Sequence, residues 1–468
     1  MLAFFRLNDP YRLVGIFLLL LVLRLPSFLG WLPQMQPEIG WQLLGENLSS
    51  GDALYQQVWD NSAPLAAGTY WLIDEVFGRS GLANSIIAML LILIQAGIFN
   101  TILLNNRAYE QQTYLPALSY AVIAHFFFDA YLLSPPLLCL IFLLMALRRV
   151  LQALTVRPSD SSIFFMGFWV GIAALFYLPS LIYLPAFLFA LAIFTGTLPR
   201  QYLLLLVGAA LPLASATLYY YWIDNLQAFY FNYVLSLNLL GSDNYLGGWQ
   251  IVLVAVIPSV YMLLGFLQYA GSRMTIFQTR LQLTIFYFML AGIIAIVLSA
   301  EKSAYHLLLM VPAWAYYTTH LILGIRNGLL AELSFWLLPI LLIAFNVLVL
   351  TPQVPEINEY VPVERLLVQE RPEEELVKDK RILVMGRDMS LYKTARLATP
   401  YLEWQLAQRQ LSSLDYYDNQ ASAFAFFNQE PPEVIVDDAQ IIPQLFGRMP
   451  TIGSKYQKQG EKLYILKQ

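Results

Sequence analysis

The chain has 468 residues, is 58% hydrophobic and 15% aromatic, carries only 12% charged residues, and has a net charge of −4. Its mean hydropathy is +0.58. Soluble domains carry about 25% charge, so the composition excludes an ordinary soluble protein, and the acidic balance gives no support to nucleic-acid binding. Cys139 is the only cysteine, which excludes an internal disulfide and a cysteine-based metal cluster.

The N-terminal run MLAFFRLNDPYRLVGIFLLLLVLRLPSFLGW is too long for a signal peptide, and no small-x-small cleavage site follows it. It reads as a retained first membrane helix. Counting apolar stretches of about 20 residues places spans near 12–30, 81–104, 112–128, 131–150, 162–178, 180–197, 201–223, 249–270, 281–300, 304–325 and 330–351. The predicted fold class is therefore an α-helical polytopic membrane protein of about eleven spans. Arg6, Arg12, Arg107, Arg148, Arg149, Arg157, Arg200, Arg273, Arg280 and Arg326 all fall in loops on one side. By the positive-inside rule that side is the cytoplasm, where the N-terminus lies. The opposite loops carry Asp60, Asp129, Asp224, Asp243 and Glu301, with Arg79 and Lys302 as their basic residues.

The first outer loop, residues 31–80, holds Glu38, Glu46, Asp52, Asp60, Asp74 and Glu75. Glu38, Gln42 and Glu46 recur at helical spacing and so share one face of a short interfacial helix. A carboxylate there would deprotonate an acceptor hydroxyl or hold a metal ion; a solvated acidic surface helix is the other reading. In Tyr55-Gln56-Gln57-Val58-Trp59-Asp60 a carboxylate stands between aromatic residues before the Pro64 turn. That arrangement suits a sugar, whose faces stack on rings while its hydroxyls bond to acids. The alternative is an Asp60 that caps the helix after Pro64. Lys302 and His306, read as i and i+4 of one helix face, join Tyr305 at the opening of the tenth span and suit a lipid phosphate. Snorkelling alone would also explain Lys302. Arg24, near the outer end of the first span, needs an acid or a phosphate as partner.

From about Thr351 the character changes: 14 of the 27 Lys and Arg and 17 of the 31 acids follow it. Residues 352–468 read as a linker and a charged helix, then strands near 381–386, 432–437 and 462–466 with helices from Thr399-Pro400 and over 421–427. This is a small C-terminal α/β extracytoplasmic domain with a mostly parallel sheet, following a membrane domain at 1–351. Met385-Gly386-Arg387-Asp388 is a lone Gly turn and carries no nucleotide-binding claim.

Several short motifs together resemble the GT-C superfamily of membrane glycosyltransferases, nearest to the protein O-mannosyltransferase and lipid A aminoarabinose transferase branch. They are Leu23-Arg24-Leu25, Pro37-Glu38, Gly51 to Tyr55, Trp59-Asp60, Ala63-Pro64-Leu65, Phe77-Gly78, the run Tyr305 to Pro312, and the tail PPEVIVDD. The resemblance implies a polyprenyl-phosphate-linked sugar as donor substrate and an inverting displacement at the anomeric carbon onto an extracytoplasmic acceptor. Glu38 would be the general base or its orienter, and Asp60 would help position acceptor or sugar. Gln42, Glu46, Tyr55, Trp59 and Tyr305 would contact substrate; Arg24, Lys302 and His306 are the candidates for the leaving phosphate. No cofactor is called for, and a divalent-metal requirement is left open. The family begins its loop with Asp-Glu; here Pro37 stands at the Asp position. A catalytically silent scaffold in surface-glycan or export assembly is therefore the alternative. A transporter would place acids or broken helices at mid-membrane, whereas Asp224 and Asp243 fall in an outer loop. The expected partners are the lipid-linked donor, membrane lipids and glycan-assembly or export proteins. The expected setting is a bacterial inner membrane with the tail in the periplasm.

Overall fold

The computed structural model describes residues 2–237, 244–270, 275–351, 359–398 and 400–467. Asp243, Arg273 and Thr399, used above, lie outside the described residues. Contacts divide the chain into two compact units. The membrane unit is Met1–Leu32, Leu82–Tyr219 and Leu237–Val363; the loop–tail unit is Pro33–Gly81, Tyr220–Ser236 and Glu364–Gln468.

Each of the eleven apolar stretches contains helix. Among the described residues seven helices are long and apolar enough to cross a membrane: Gly81–Asn105, Pro135–Ala153, Pro199–Trp222, Gly248–Gln268, Ile276–Leu298, Ala304–Gly324 and Gly328–Leu350. Of the other four stretches, the first, third and sixth are shorter in helix than expected, and the fifth keeps its length but starts two residues earlier. The first is Arg12–Phe28, the third only Leu115–Ile123, the fifth Asp160–Phe176, and the sixth a 3-10 turn at Leu178–Ile182 leading into Tyr183–Phe194. First-turn prolines explain the shortening of the third and sixth stretches, since proline lacks the N–H that would extend the helix backwards: Pro116 and Pro179 occupy such positions.

Lipid tails give apolar side chains no drive to associate, so close backbone approach must hold membrane helices together. Small residues supply it here. A Cβ on Gly167 would stand 1.9 Å from Leu205 O, and one on Gly208 would stand 2.2 Å from Phe164 O. The Asp160–Phe176 and Pro199–Trp222 helices therefore meet backbone to backbone along a Gly167-x-x-x-Gly171 stripe.

The loop–tail unit contains a five-stranded sheet, β1 (Arg381–Val384), β2 (Arg396–Leu397), β3 (Val434–Val436), β4 (Tyr456–Gln459) and β5 (Leu463–Leu466), in the order β2-β1-β3-β5-β4. The expected parallel arrangement holds for β2-β1-β3. It fails at β3-β5-β4, which is antiparallel. For β5-β4 the cause is local: β4 and β5 are joined by Gly460-Glu461-Lys462, with Gly460 at φ 75°, and so short a connection permits only a hairpin. The helices are Trp404–Leu411, starting four residues after Pro400, and Tyr417–Gln429, longer at both ends than 421–427. Leu383, Met385, Ile435, Trp404, Phe427 and Leu445 lie in the core of this unit.

Candidate functional site

The first loop folds as two packed helices, Gln36–Ser49 and Pro64–Phe77. Ile39, Leu43 and Leu44 form the buried side of the first helix. Gly45 lets the pair close, since a Cβ there would stand 2.6 Å from Tyr70 O. Trp41 stacks on Tyr70 at 5.6 Å between centroids and 5° between planes. The expected acidic face is present. Gln42 Nε2 donates to Glu38 Oε1 at 3.4 Å, one turn apart. A Cβ on Gly81 would come within 3.1 Å of the same Oε1. Among the described residues Glu38 has no ion-pair partner, and burial pushes its carboxyl up to about 7. Glu46, two turns along, differs: it is ion-paired with Arg79 and lies 3.9 Å from Arg396. Arg79 is itself fixed by the carbonyls of Tyr392 at 3.0 Å and Ala395 at 3.1 Å.

The Tyr55–Asp60 segment is fixed by its own bonds. Tyr55 is buried at φ 71°, a left-handed conformation rare for a non-glycine residue. Its hydroxyl donates to Ser62 O at 2.6 Å, and its ring packs on Tyr220 and Phe229. Trp59 donates from its backbone to Pro400 O at 2.7 Å and from Nε1 to Gln56 O at 3.2 Å. Its indole meets Tyr401 and Phe426 edge to face at 5.4 and 5.7 Å. Asp60 does not cap the following helix: the N-cap is Ala63, with no side-chain cap bond. Asp60 Oδ1 instead accepts Ser62 N–H at 2.6 Å, a turn two residues on. Burial raises its pKa.

Sequence reasoning missed Glu403. Its N–H donates to Trp59 O at 2.9 Å, and its carboxylate caps Trp404–Leu411 through Gln405 N–H at 3.3 Å. Burial first, then the charge of Asp60, raises the Glu403 pKa, while Arg387 opposes the shift. The charge of Asp60 thus disfavours ionisation of Glu403. Their separation of 343 positions leaves only an N-cap signal before Trp404 to find.

In the membrane unit Arg24 is 0% exposed. Its Nη1 donates to Ser85 O at 2.9 Å and Tyr131 O at 3.0 Å, and its Nε to His125 Nε2 at 3.1 Å. Its Nη2 has no hydrogen-bond partner among the described residues. The expected Lys302–His306 helix face does not exist. Ser303 is extended at φ −142° and ψ 166°, and Ala304–Met310 is a 3-10 helix, whose period of three cannot align i with i+4. His306 is buried, with Nε2 3.0 Å from Ser299 Oγ and Nδ1 accepting Ser303 N–H at 3.3 Å. Tyr305 stacks on it at 4.3 Å. Lys302 stays partly exposed, and its backbone carbonyl accepts Leu246 N–H at 3.1 Å. The turn is organised by a residue not singled out beforehand: buried Asp129 accepts Ser303 Oγ–H and Tyr305 N–H, both at 2.8 Å, through Oδ2.

No family model matches the chain, and no curated protein matches its sequence. Solved structures do match. ArnT from Cupriavidus metallidurans bound to undecaprenyl phosphate aligns with 98% of this chain and 98% of its own, at TM-score 0.55 and 12% identity. ArnT in the apo state aligns with 97% and 98%, at TM-score 0.54 and 12% identity. The chain has the GT-C fold. The archaeal oligosaccharyltransferase AglB from Archaeoglobus fulgidus also aligns, over 98% of this chain and 74% of its own, at TM-score 0.49 and 12% identity. At such identity the likeness concerns the fold, and the chemistry rests on the residues. Within this GT-C fold Pro37 occupies the first turn of the loop helix, a position suited to proline, directly before Glu38. Among the described residues no group of three or more His, Cys, Asp or Glu side chains converges as a metal cluster.

Proposed function

We propose that the protein is a multi-pass membrane glycosyltransferase that moves a sugar from a polyprenyl-phosphate donor to an extracytoplasmic acceptor. The acceptor oxygen attacks the anomeric carbon with inversion, the bond from that carbon to the phosphate oxygen breaks, and polyprenyl phosphate leaves. Glu38 takes the acceptor proton. The observation that carries this reading is Glu38 itself: a half-buried loop carboxylate with an amide neighbour, no ion pair among the described residues, and a pKa near the working range of a general base. The likeness to a fold that holds undecaprenyl phosphate in ArnT supports the lipid-linked donor. We assign Lys302 to the phosphate, whose growing charge needs a cation, with Arg24, through its free Nη2, as a second cation for an anionic headgroup. Asp60, Tyr55, Trp59, Gln42 and Glu46 shape the acidic, aromatic loop that receives sugar and acceptor. The N-terminus lies in the cytoplasm of a bacterial cell and the tail in the periplasm.

The test is the pH profile of transfer from a polyprenyl-phosphate sugar by the full-length protein in nanodiscs. A base with its pKa raised to about 7 gives a rate that climbs as pH rises through that value and then levels. Glu38→Gln is expected to be inactive and Glu38→Asp partly active. A wild-type rate unaffected by Glu38→Gln sinks the assignment. One observation favours a second reading: Pro37 replaces the acid that the family carries before Glu38. A silent scaffold in glycan or export assembly would show no transfer at any pH while still holding the lipid.

A further inference from the structure

The loop–tail unit contains a cavity of about 720 Å³, within the ~300–1,000 Å³ range of small-molecule sites. Three segments distant in sequence line it: the Tyr55–Trp59 run, residues 224–235, and the tail helices from Leu406 to Phe426. Its lining combines aromatic surface with three buried amides whose two ends are used differently.

Asn225 and Asn232, 3% and 9% exposed, each spend their Nδ2 on the protein, donating to Leu54 O at 2.8 Å and Tyr55 O at 3.0 Å. Neither Oδ1 accepts a hydrogen bond from a described residue. Gln410, 7% exposed, does the reverse: its Oε1 accepts the Tyr401 hydroxyl at 3.0 Å, and its amide NH₂ has no acceptor among the described residues. All three residues line the cavity. The site therefore offers two acceptors and a twofold donor, each oriented by its committed end. The indole Nε1 of Trp59 is satisfied by Gln56 O, so Trp59 offers ring surface only. Phe231 and Tyr416, 53% and 71% exposed, add further aromatic surface at the same cavity. Asp224 and Arg409 are its two charged lining residues and cancel in sign.

A ligand matched to this lining must donate to and accept from fixed amides, lay apolar faces on rings, and carry little net charge. Hydroxyl groups on a ring with apolar C–H faces meet all three conditions. We propose that this cavity binds a neutral saccharide, the glycan portion of the acceptor. The proposal extends the transferase reading by naming the acceptor class. Binding is measured without any donor, so its failure and the failure of the transfer reaction are distinguishable.

The experiment is saturation-transfer NMR on the full-length protein in nanodiscs with maltotriose, cellotriose, mannotriose and tri-N-acetylchitotriose, beside a blocked Gly-Ser-Thr peptide. At least one trisaccharide is expected to show saturated ring protons. The Phe231→Ala/Tyr416→Ala variant, altered only at exposed positions, is expected to bind it about tenfold more weakly with an unchanged melting temperature. Asn232→Asp, which keeps side-chain size but loses the Nδ2 donor, is expected to weaken binding as well. Absence of saturation for every trisaccharide overturns the proposal, as does binding unchanged in the aromatic variant. Saturation of the peptide alone would make the cavity a peptide site and equally overturn it.

Discussion

In the membrane unit, buried charge is met by backbone and hydroxyl groups. The carbonyls of Ser85 and Tyr131 surround Arg24, and Ser303 Oγ–H and Tyr305 N–H both bond to Oδ2 of Asp129. In the loop–tail unit the buried Asp60 and Asp437 likewise accept backbone N–H groups, but half-buried side chains are met by opposite charge. Arg371 holds Asp438 through two nitrogens at 2.7 and 3.1 Å and reaches Asp388 at 3.3 Å, while Glu46 is clamped by Arg79. The Arg200–Asp160 ion pair of the membrane unit is exposed. The difference follows from the surroundings. An ion pair gains little over fixed dipoles once both charges must leave water, whereas a partly wet domain lets side-chain charges pair and still be solvated. Glu38 fits neither pattern. It sits on the same helix as the paired Glu46 and has only the Gln42 amide beside it.

The largest expected effect separates Glu38 from Glu46. Glu38→Gln should lower transfer by about 10²- to 10⁴-fold, the usual worth of a general base. Glu46→Gln should leave the rate within a few-fold and act instead on stability, through the lost Arg79 pair. Rates normalised to folded protein check this, and equal losses at both positions would erase the contrast.

Next comes Arg24. Arg24→Met strands two carbonyls and His125, and should destabilise the protein by roughly 3 kcal/mol, given about 1–3 kcal/mol per stranded buried group. Denaturant melts of the purified protein measure it. Asp129→Ala should cost about 1–3 kcal/mol by the same reasoning. Asp129→Asn should cost less, because an amide oxygen still accepts from Ser303 and Tyr305. An Asn variant as damaged as the Ala variant would mean that the charge, and not the acceptor, holds the turn.

The last effect depends on pH. The Glu38 carboxyl is raised from 4.5 to about 7 in the fold, so the folded state binds its proton more tightly than the unfolded chain. Stability is then lost as pH rises through the window from about 4.5 to about 7. Glu38→Gln removes that loss. It should melt higher than wild type at pH 8 and match it at pH 4.5, and a variant destabilised at pH 8 would contradict the burial argument.

Much of this was legible in the sequence because it is periodic. Apolar runs gave the helices, spacing gave the Glu38–Gln42 face, and short apolar runs gave β1, β3 and β5. What escaped was non-periodic or long-range. β4, Tyr456–Gln459, is exposed and polar over three of its four residues, so no pattern marks it. The 3-10 turn after Ser303 depends on Asp129, 174 residues away, and an i, i+4 reading of Lys302 and His306 had no means to see it. Glu403 joins Asp60 only through folding, and the amides of the cavity become a set only when residues 225, 232 and 410 line one space.

The most direct test of the central claim is mass spectrometry of the lipids retained by the purified protein, wild type beside Glu38→Gln and Lys302→Ala. The expected result is a polyprenyl phosphate or its sugar adduct on the wild type, its loss in Lys302→Ala, and accumulation of the sugar-loaded form in Glu38→Gln. Retention of no polyprenyl species by any of the three proteins would contradict a lipid-linked donor, and with it the role given to Glu38.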